Sequence, residues 1–392
     1  MTQPLSQRIQ SIKPSATLSL NAKAKALKAE GKDIISLSVG EPDFNTPENI
    51  RAAAIKAINE GNNHYTPVDG TPAIKDAIIK KFKRDNKLDY QADQVMATTG
   101  GKQAIFNLLI AMLNPGDEVI IPAPYWVSYP DMVVLNGGEP VIITADAKQH
   151  FKITAEQLDR AITDKTKLFM LNSPSNPTGM AYSNDELKAI ADVLLKHPHV
   201  YLMSDDVYEH ILWDKANTQH ILNLCPELYE RTIIVNAASK SYAMTGWRLG
   251  FAAGPKDIIG AMKKAQGQST SNPCSIAQAA VVEALSGDQS CLDEFCRIFR
   301  ERHDAVLKRL QAMDGVEVGP ADGAFYLFPN VAKVIQKLGL KDDAELSALL
   351  LEKAGVAVVP GSAFGLADHL RLSYALDLET LNKAMDCIEK VI

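Results

Sequence analysis

Thr232-Ile233-Ile234-Val235-Asn236-Ala237-Ala238-Ser239-Lys240-Ser241-Tyr242-Ala243-Met244-Thr245-Gly246-Trp247-Arg248 sets a lysine shortly after an apolar run, with an arginine eight residues further on. The run suits a buried strand, and a strand end is an unusual place for a strongly hydrated ammonium. One chemistry wants a lysine there: a lowered pKa frees the amine to form a Schiff base with a carbonyl compound. Arg248 then suits an anion such as a phosphate. A snorkelling lysine and a surface arginine answer to the same pattern, so the surrounding chain has to decide.

Outward from this stretch, short apolar runs alternate with helix-like segments over about 94–254. The candidate strands are Gln94–Thr98, Glu118–Pro122, Val141–Thr144, Lys167–Asn172, Val200–Ser204, Thr232–Asn236 and Leu249–Ala253. Between them lie helix patterns such as Lys102–Leu113 and Asn184–Lys196, the second opened by Ser183 as N-cap. This alternation predicts an α/β fold, a largely parallel sheet with helices on both faces, which binds ligands beyond the carboxyl ends of its strands. After Asn272-Pro273 the pattern becomes α+β. Ile276–Leu285 and Leu292–Met313 read as helices, the second long enough to bridge two domains. Phe325–Phe328, Ala344–Ala354, Val356–Val359 and His369–Tyr374 follow. Residues 17–30 form a further helix candidate before Ile34–Ser38, and this N-terminal part is expected to join the C-terminal domain.

Composition sets the outer limits. A chain of 392 residues exceeds one small core, and about two domains are expected. It is 46% hydrophobic and 22% charged, with a net charge of -6, which gives no basic footprint for nucleic acid. No apolar run reaches membrane length, and the N-terminus lacks a signal-peptide core, so a cytoplasmic protein is expected. Five cysteines without a Cys-x-x-Cys argue against a disulfide framework or a zinc ribbon. His197-Pro198-His199 has no metal-ligating company in sequence and reads as an exposed loop.

Four more clusters gather around Lys240. Thr98-Thr99-Gly100-Gly101-Lys102-Gln103 runs from strand through glycines into a helix, where bare backbone N–H groups can approach a phosphate. A Walker A loop fails here, because Met96 and Gln103 stand where its first Gly and its Ser/Thr belong; a plain strand-to-helix turn stays open. Asn172-Ser173-Pro174-Ser175-Asn176-Pro177-Thr178-Gly179 is a stiff turn that either fixes the Asn176 amide or serves only as a turn. Met203-Ser204-Asp205-Asp206-Val207-Tyr208 puts an acid at a strand end, costly to bury without a cation. Asp205 is therefore either a helix cap or the partner of a protonated pyridine nitrogen, which would make that ring an electron sink. Tyr208 would then donate to a phenolate oxygen on the same ring. His369-Leu370-Arg371-Leu372-Ser373-Tyr374 directs Arg371 to one face of a strand, as an edge charge or as a fork for a carboxylate. Pro124-Tyr125-Trp126 offers an aromatic plate for a flat ring, or a core tryptophan.

In this order the clusters resemble the class I aminotransferases, the aspartate aminotransferase family of fold-type I pyridoxal phosphate enzymes. The resemblance runs from about Lys13 to the C-terminus. It is carried by Gly40-Glu41-Pro42-Asp43-Phe44, Tyr65-Thr66-Pro67-Val68-Asp69-Gly70, Asn176-Pro177-Thr178-Gly179, Ser239-Lys240 and Gly246-Trp247-Arg248. It implies a mainly parallel seven-stranded sheet in a large cofactor domain, 46–288, and a smaller α+β domain, 289–392. Residues 1–45 would form an N-terminal arm and part of the small domain.

The resemblance also implies roles. Lys240 would carry pyridoxal 5'-phosphate as a Schiff base and then shuttle the substrate proton. Asp205 would pair with the pyridinium nitrogen, Asn176 and Tyr208 would hold the phenolate oxygen, and Trp126 would stack on the ring. Backbone groups of Gly101 and Lys102, with Arg248, would hold the phosphate, joined by Tyr65 from a second subunit of a homodimer. Ser239 is counted with these cofactor contacts. Arg371 would bind the substrate α-carboxylate, helped by Gly40 and Asn176. Gly100-Gly101-Lys102-Gln103 and Thr17 match a bacterial subgroup in which Lys102 helps recognise a distal carboxylate. The implied reaction is ping-pong transfer from L-aspartate to 2-oxoglutarate, with amino acids and 2-oxo acids as partners and no metal.

The family often has Asp-Glu where this chain has Asp205-Asp206, but the first acid carries the role. Prephenate or aromatic substrates, and pyridoxal-dependent lyase chemistry, stay open beside the aspartate reading. Aminotransferase-like domains also occur in transcription regulators beside a basic DNA-binding module, for which the segment before the resemblance is expected to be too short.

Overall fold

The computed structural model describes residues 4–12 and 16–392, except for the side chains of residues 16–19 and 21. Twelve strands occur among these residues: β1 Ile35–Ser36, β2 Val95–Thr98, β3 Glu118–Ala123, β4 Glu139–Thr144, β5 Thr166–Asn172, β6 Tyr201–Asp205, β7 Thr232–Ala237, β8 Gly250–Ala253, β9 Tyr326–Leu327, β10 Val356–Ala357, β11 Val359–Pro360 and β12 Leu370–Ser373.

Seven of them form one sheet in the order β2-β8-β7-β6-β5-β3-β4. The neighbours from β7 across to β4 pair in parallel, while β8 runs antiparallel to both β7 and β2. Every residue of β2, β7 and β8 is buried, as expected of strands covered on both faces. Alternation divides their side chains. Ala97, Phe169, Leu202, Ile234 and Phe251 enter one core, while Met96, Met170, Met203, Ile233 and Val235 enter the other. The helix Gly101–Met112 covers the second face with Ala104, Ile105, Leu108 and Leu109. The helix Asn184–Lys196 packs on the first, and Ser183 caps it with a reciprocal pair: its hydroxyl accepts from Glu186 N–H while the Glu186 carboxylate accepts from Ser183 N–H.

A separate core gathers Phe299, Val306 and Leu310 of the helix Ser290–Ala312, Met385 and Ile388 of the helix Leu378–Glu389, and the strands β9, β10 and β12. Here β11, β12 and β9 form an antiparallel sheet, and β1 pairs in parallel with β10. The 35–46 segment is anchored to the long helix by the bidentate pair of Arg302 with Asp43, at 2.7 and 2.9 Å. The same segment carries Gly40, whose carbonyl meets Lys240 just past the carboxyl end of β7 and beside that of β6, and Ser38, whose carbonyl meets Arg371 of β12.

Candidate active site

A cavity of about 270 Å³ opens at these strand ends, lined by residues from both regions, among them Lys240, Asp205 and Arg371. Lys240 lies in the short helix Ala238–Ser241 that follows β7, so the strand delivers it to the cavity floor. Its Nζ donates to the Gly40 carbonyl. Burial lowers its pKa to about 8, and Arg371 and Arg248 press in the same direction against the opposing pull of Glu41 and Asp205. A lysine so placed holds its amine neutral far more readily than an exposed one.

Asp205 closes β6 and is buried. Its carboxylate accepts the Tyr129 hydroxyl at 2.6 Å and the Val207 N–H at 3.3 Å. Burial lifts its pKa to about 6 despite these donors. Asn172, at the end of β5, braces this strand end from the side: its amide donates to the Asp205 carbonyl, and its Oδ1 accepts from the Asn176 N–H. The Asn176 side chain in turn accepts from Arg371 Nη1 at 3.0 Å.

Arg371 sits in the middle of β12, only 2% exposed. Its Nη2 donates to the Ser38 carbonyl at 2.6 Å, and its guanidinium lies between the rings of Tyr326 and Phe364, 4.7 and 5.0 Å from their centroids. The Nε–H has no partner among the described residues. Tyr208 meets the Tyr326 hydroxyl at 2.9 Å. Tyr326 also explains Gly40, because a Cβ there would strike its hydroxyl oxygen.

The opposite end of the cavity is built for an anion. Gly100 has φ +84, and a Cβ on it would run into the Arg248 guanidinium. A Cβ on Gly250 would collide with the backbone of Gly100 and Gly101. The glycines thus let the arginine lie over the N-terminus of the helix Gly101–Met112, where free N–H groups and a cation converge. Ser239 lines the same cavity. Lys102 reaches outward, donates to Ser128 at 3.0 Å and stands 4.7 Å from the centre of the Trp126 ring.

Of the residues singled out from sequence, Gly40, Gly101, Lys102, Trp126, Asn176, Asp205, Tyr208, Ser239, Lys240, Arg248 and Arg371 all line this one cavity. Tyr65 does not; it is 94% exposed on its own chain. The side chain of Thr17 lies outside the described residues. Reasoning from sequence missed Tyr129, Tyr326 and Asn172. Tyr129 carried a usable signal, since it stands three residues after Trp126, the span of one tight turn, which its N–H closes on the Trp126 carbonyl at 3.0 Å.

Residues 32–388 match the family described as aminotransferase class I and II, and the chain belongs to that family. It is 49% identical over 394 residues to the aspartate/prephenate aminotransferase of Nitrosomonas europaea, covering 99% of each chain. To the aspartate aminotransferase of Geobacillus stearothermophilus it is 50% identical over 386 residues, covering 98% of each. The aspartate aminotransferase structure from Rhizobium meliloti superposes with a TM-score of 0.95 at 48% identity, over 100% of this chain and 99% of that one. The structure of the Thermus thermophilus enzyme with maleate gives 0.93 at 42% identity, over all of both chains. The mostly parallel seven-stranded sheet is the fold-type I architecture of these transferases.

Proposed function

We propose that this chain is a pyridoxal 5'-phosphate-dependent aspartate aminotransferase that passes the amino group of L-aspartate to 2-oxoglutarate. The observation that carries the reading is the convergence of Lys240, Asp205 and Arg371 on one cavity that ends in a glycine-lined anion cradle. The residues present fit the cofactor. Asp205 is a buried acid whose hydrogen-bond donors are neutral, so a protonated ring nitrogen would complete it. The bare backbone at Gly100 and Gly250 lets the Arg248 guanidinium and the N-terminus of the helix Gly101–Met112 come together, a donor set that suits a phosphate.

When bound, pyridoxal phosphate supplies an electrophilic carbon for the amino nitrogen and a ring that accepts the electron pair left at the substrate α-carbon. The chain's own residues do the rest. Arg248, Ser239 and the helix N-terminus at Gly101 and Lys102 would hold the phosphate. Asp205 would keep the proton on the ring nitrogen, and Tyr129 and Asn172 keep Asp205 in place. Asn176 and Tyr208 would hold the ring oxygen, and Trp126 would stack on the ring. Arg371 would grip the α-carboxylate and so orient the substrate toward Lys240, which lines the same cavity. That amine, whose pKa burial lowers to about 8, would take the proton in its neutral form and later return it.

Lys102, an exposed cation at the cavity mouth, is placed to meet the second carboxylate of a dicarboxylic substrate. The Thermus thermophilus structure with maleate, a dicarboxylate, supports that choice. Tyr65 would serve the site of a partner chain in a homodimer, as its exposure here allows.

Absorbance of the purified protein under L-aspartate titration tests the reading. A visible cofactor band should give way to a pyridoxamine-type spectrum and return with 2-oxoglutarate. A band that ignores aspartate but answers another amino acid would overturn the substrate, and no band after added cofactor would overturn the whole reading. A second reading, prephenate as a further amino acceptor, is favoured by the names of the Nitrosomonas europaea relative and of the Cereibacter sphaeroides relative, 51% identical over 385 residues. Replacing 2-oxoglutarate with prephenate in the return step decides it.

A further inference from the structure

Asp205 and Asp206 are chain neighbours, both 6% exposed, that line different cavities. Asp205 lines the candidate active site, whereas Asp206 lines a second cavity of about 560 Å³ with Ser204, Glu209, His210, Lys215 and His220. The charge of Asp206, so close and so withdrawn from water, is among the influences that raise the Asp205 pKa, after burial itself. What turns Asp206 away from the first cavity therefore matters to Asp205.

Three contacts hold Asp206. Its N–H donates to the Val235 carbonyl at 2.9 Å, and its Oδ1 accepts the Ser204 hydroxyl at 2.6 Å. Its Oδ2 faces Nε2 of His220 at 3.2 Å, and neither atom has a hydrogen-bond partner among the described residues, this pair being in contact but off hydrogen-bonding angle. A small turn of the imidazole would close that bond. The other ring nitrogen decides who donates. Nδ1 accepts the Leu222 N–H at 3.2 Å, which makes His220 the cap of the short helix Ile221–Leu224. A nitrogen that accepts carries its lone pair, so in the neutral ring the proton lies on Nε2 and points at Asp206. The same tautomer leaves Nε2 no lone pair for a metal ion, although Asp85, Glu209 and His210 stand together in the same wall.

We propose that His220 is a positioning residue for the acid pair: its Nε2–H holds Asp206 toward the second cavity and leaves Asp205 as the one carboxylate facing the active site. The inference rests on the pyridoxal phosphate reading only for what Asp205 is there to do. The tautomer, and the coupling of His220 to Asp206, belong to the chain itself. The other charged groups around the second cavity are Asp85, Lys87, Glu209, His210 and Lys215, with Lys81 paired to Glu209 behind them.

Two measurements test it. Long-range 1H–15N spectra of the cofactor-free protein near pH 8, assigned with His220→Asn, should show His220 as the Nε2–H tautomer; a proton on Nδ1 overturns the proposal. The variants then separate positioning from capping. Asparagine keeps an acceptor near the Nδ1 position and loses the donor, whereas glutamine puts an amide N–H near Nε2 and loses the cap. In the holoenzyme, His220→Asn should move the pH midpoint of the visible cofactor band by about half a unit, roughly threefold in a proton equilibrium. His220→Gln should restore it, and His220→Asn should have no effect in an Asp206→Asn background. A wild-type-like asparagine variant beside a displaced glutamine variant would mean a cap and nothing more, and would overturn the proposal. A wild type without any cofactor band sinks the cofactor reading instead, and the tautomer spectrum still judges His220.

Discussion

Arg371 donates to the Asn176 side chain across 3.0 Å, and this contact ties β12 of the C-terminal region to the turn that follows β5. The guanidinium is buried against two aromatic rings and spends two of its five N–H groups on Asn176 and Ser38, which leaves donors, the Nε–H among them, for a planar anion. Arg371→Lys keeps the charge but exchanges a fork for a point donor. We expect kcat/KM for aspartate to fall about a hundredfold, about 2.7 kcal/mol, with the bound cofactor and its visible band unchanged. Steady-state kinetics beside an absorbance spectrum checks this. A variant within a few-fold of wild type would mean that Arg371 does not carry the α-carboxylate.

Lys240 supplies a second prediction, in pH. Its pKa is lowered to about 8, first by burial, so the neutral amine predominates above about pH 8. Uptake of pyridoxal phosphate by the cofactor-free protein should therefore accelerate with a midpoint near 8, well below the usual lysine value of about 10.4. Glu41, which accepts the Thr245 hydroxyl at 2.9 Å, is the largest opposing influence and raises the Lys240 pKa. Glu41→Gln should then move the midpoint down and speed uptake at neutral pH. Stopped-flow absorbance reads both, and an upward movement in Glu41→Gln would contradict this account of the amine.

The fold was legible because its signals are local. Val95–Thr98, Thr166–Asn172 and Thr232–Ala237 are apolar runs bounded by polar turns, and the structure extends the predicted strands by a residue or loses one at their ends. Lys240, Asp205 and Arg248 could be picked out because each sits just after, or a short excursion after, such a strand. The resemblance carried over Gly40 and Arg371, which lie far apart in sequence. What stayed hidden depends on side chains meeting across long sequence distances. Tyr326 looked like one more apolar residue of a short strand, yet its hydroxyl meets Tyr208 and its ring lies under Arg371. Nothing local in Ser204-Asp205-Asp206 reveals that a histidine fourteen residues past Asp206 turns the second acid away.

Asp205 should be visible in the stability of the cofactor-free protein. Burial raises its folded pKa to about 6, above the unfolded value near 3.8. A carboxyl with a raised folded pKa favours the folded state while protonated and loses that contribution as pH rises. The loss should run from about pH 4 to about pH 6 and reach about 3 kcal/mol at most. Denaturant unfolding of wild type and Asp205→Asn across this window isolates the difference, because the other carboxyls are common to both. Tyr129→Phe removes a donor that lowers the Asp205 pKa, so its loss should extend above pH 6. Parallel stability curves for wild type and Asp205→Asn would refute the buried-acid account.

The phosphate cradle separates backbone strain from ligand binding. Arg248 has φ +54, a left-handed conformation that costs a non-glycine residue of order 1 kcal/mol or more. Gly100, at φ +84, lets the Arg248 side chain lie against bare backbone. Arg248→Gly should thus leave folding stability equal or slightly raised, by less than about 1 kcal/mol, while weakening pyridoxal phosphate binding at least tenfold. Gly100→Ala should do harm on both counts, because its methyl group needs a strained φ and occupies the place of the guanidinium. We expect a stability loss of about 1–3 kcal/mol together with weaker cofactor binding. Thermal unfolding of the cofactor-free variants, paired with cofactor titration, gives the two quantities separately. Were Arg248→Gly to bind the cofactor as tightly as wild type, the phosphate would have to be held by the helix N-terminus and Ser239 alone.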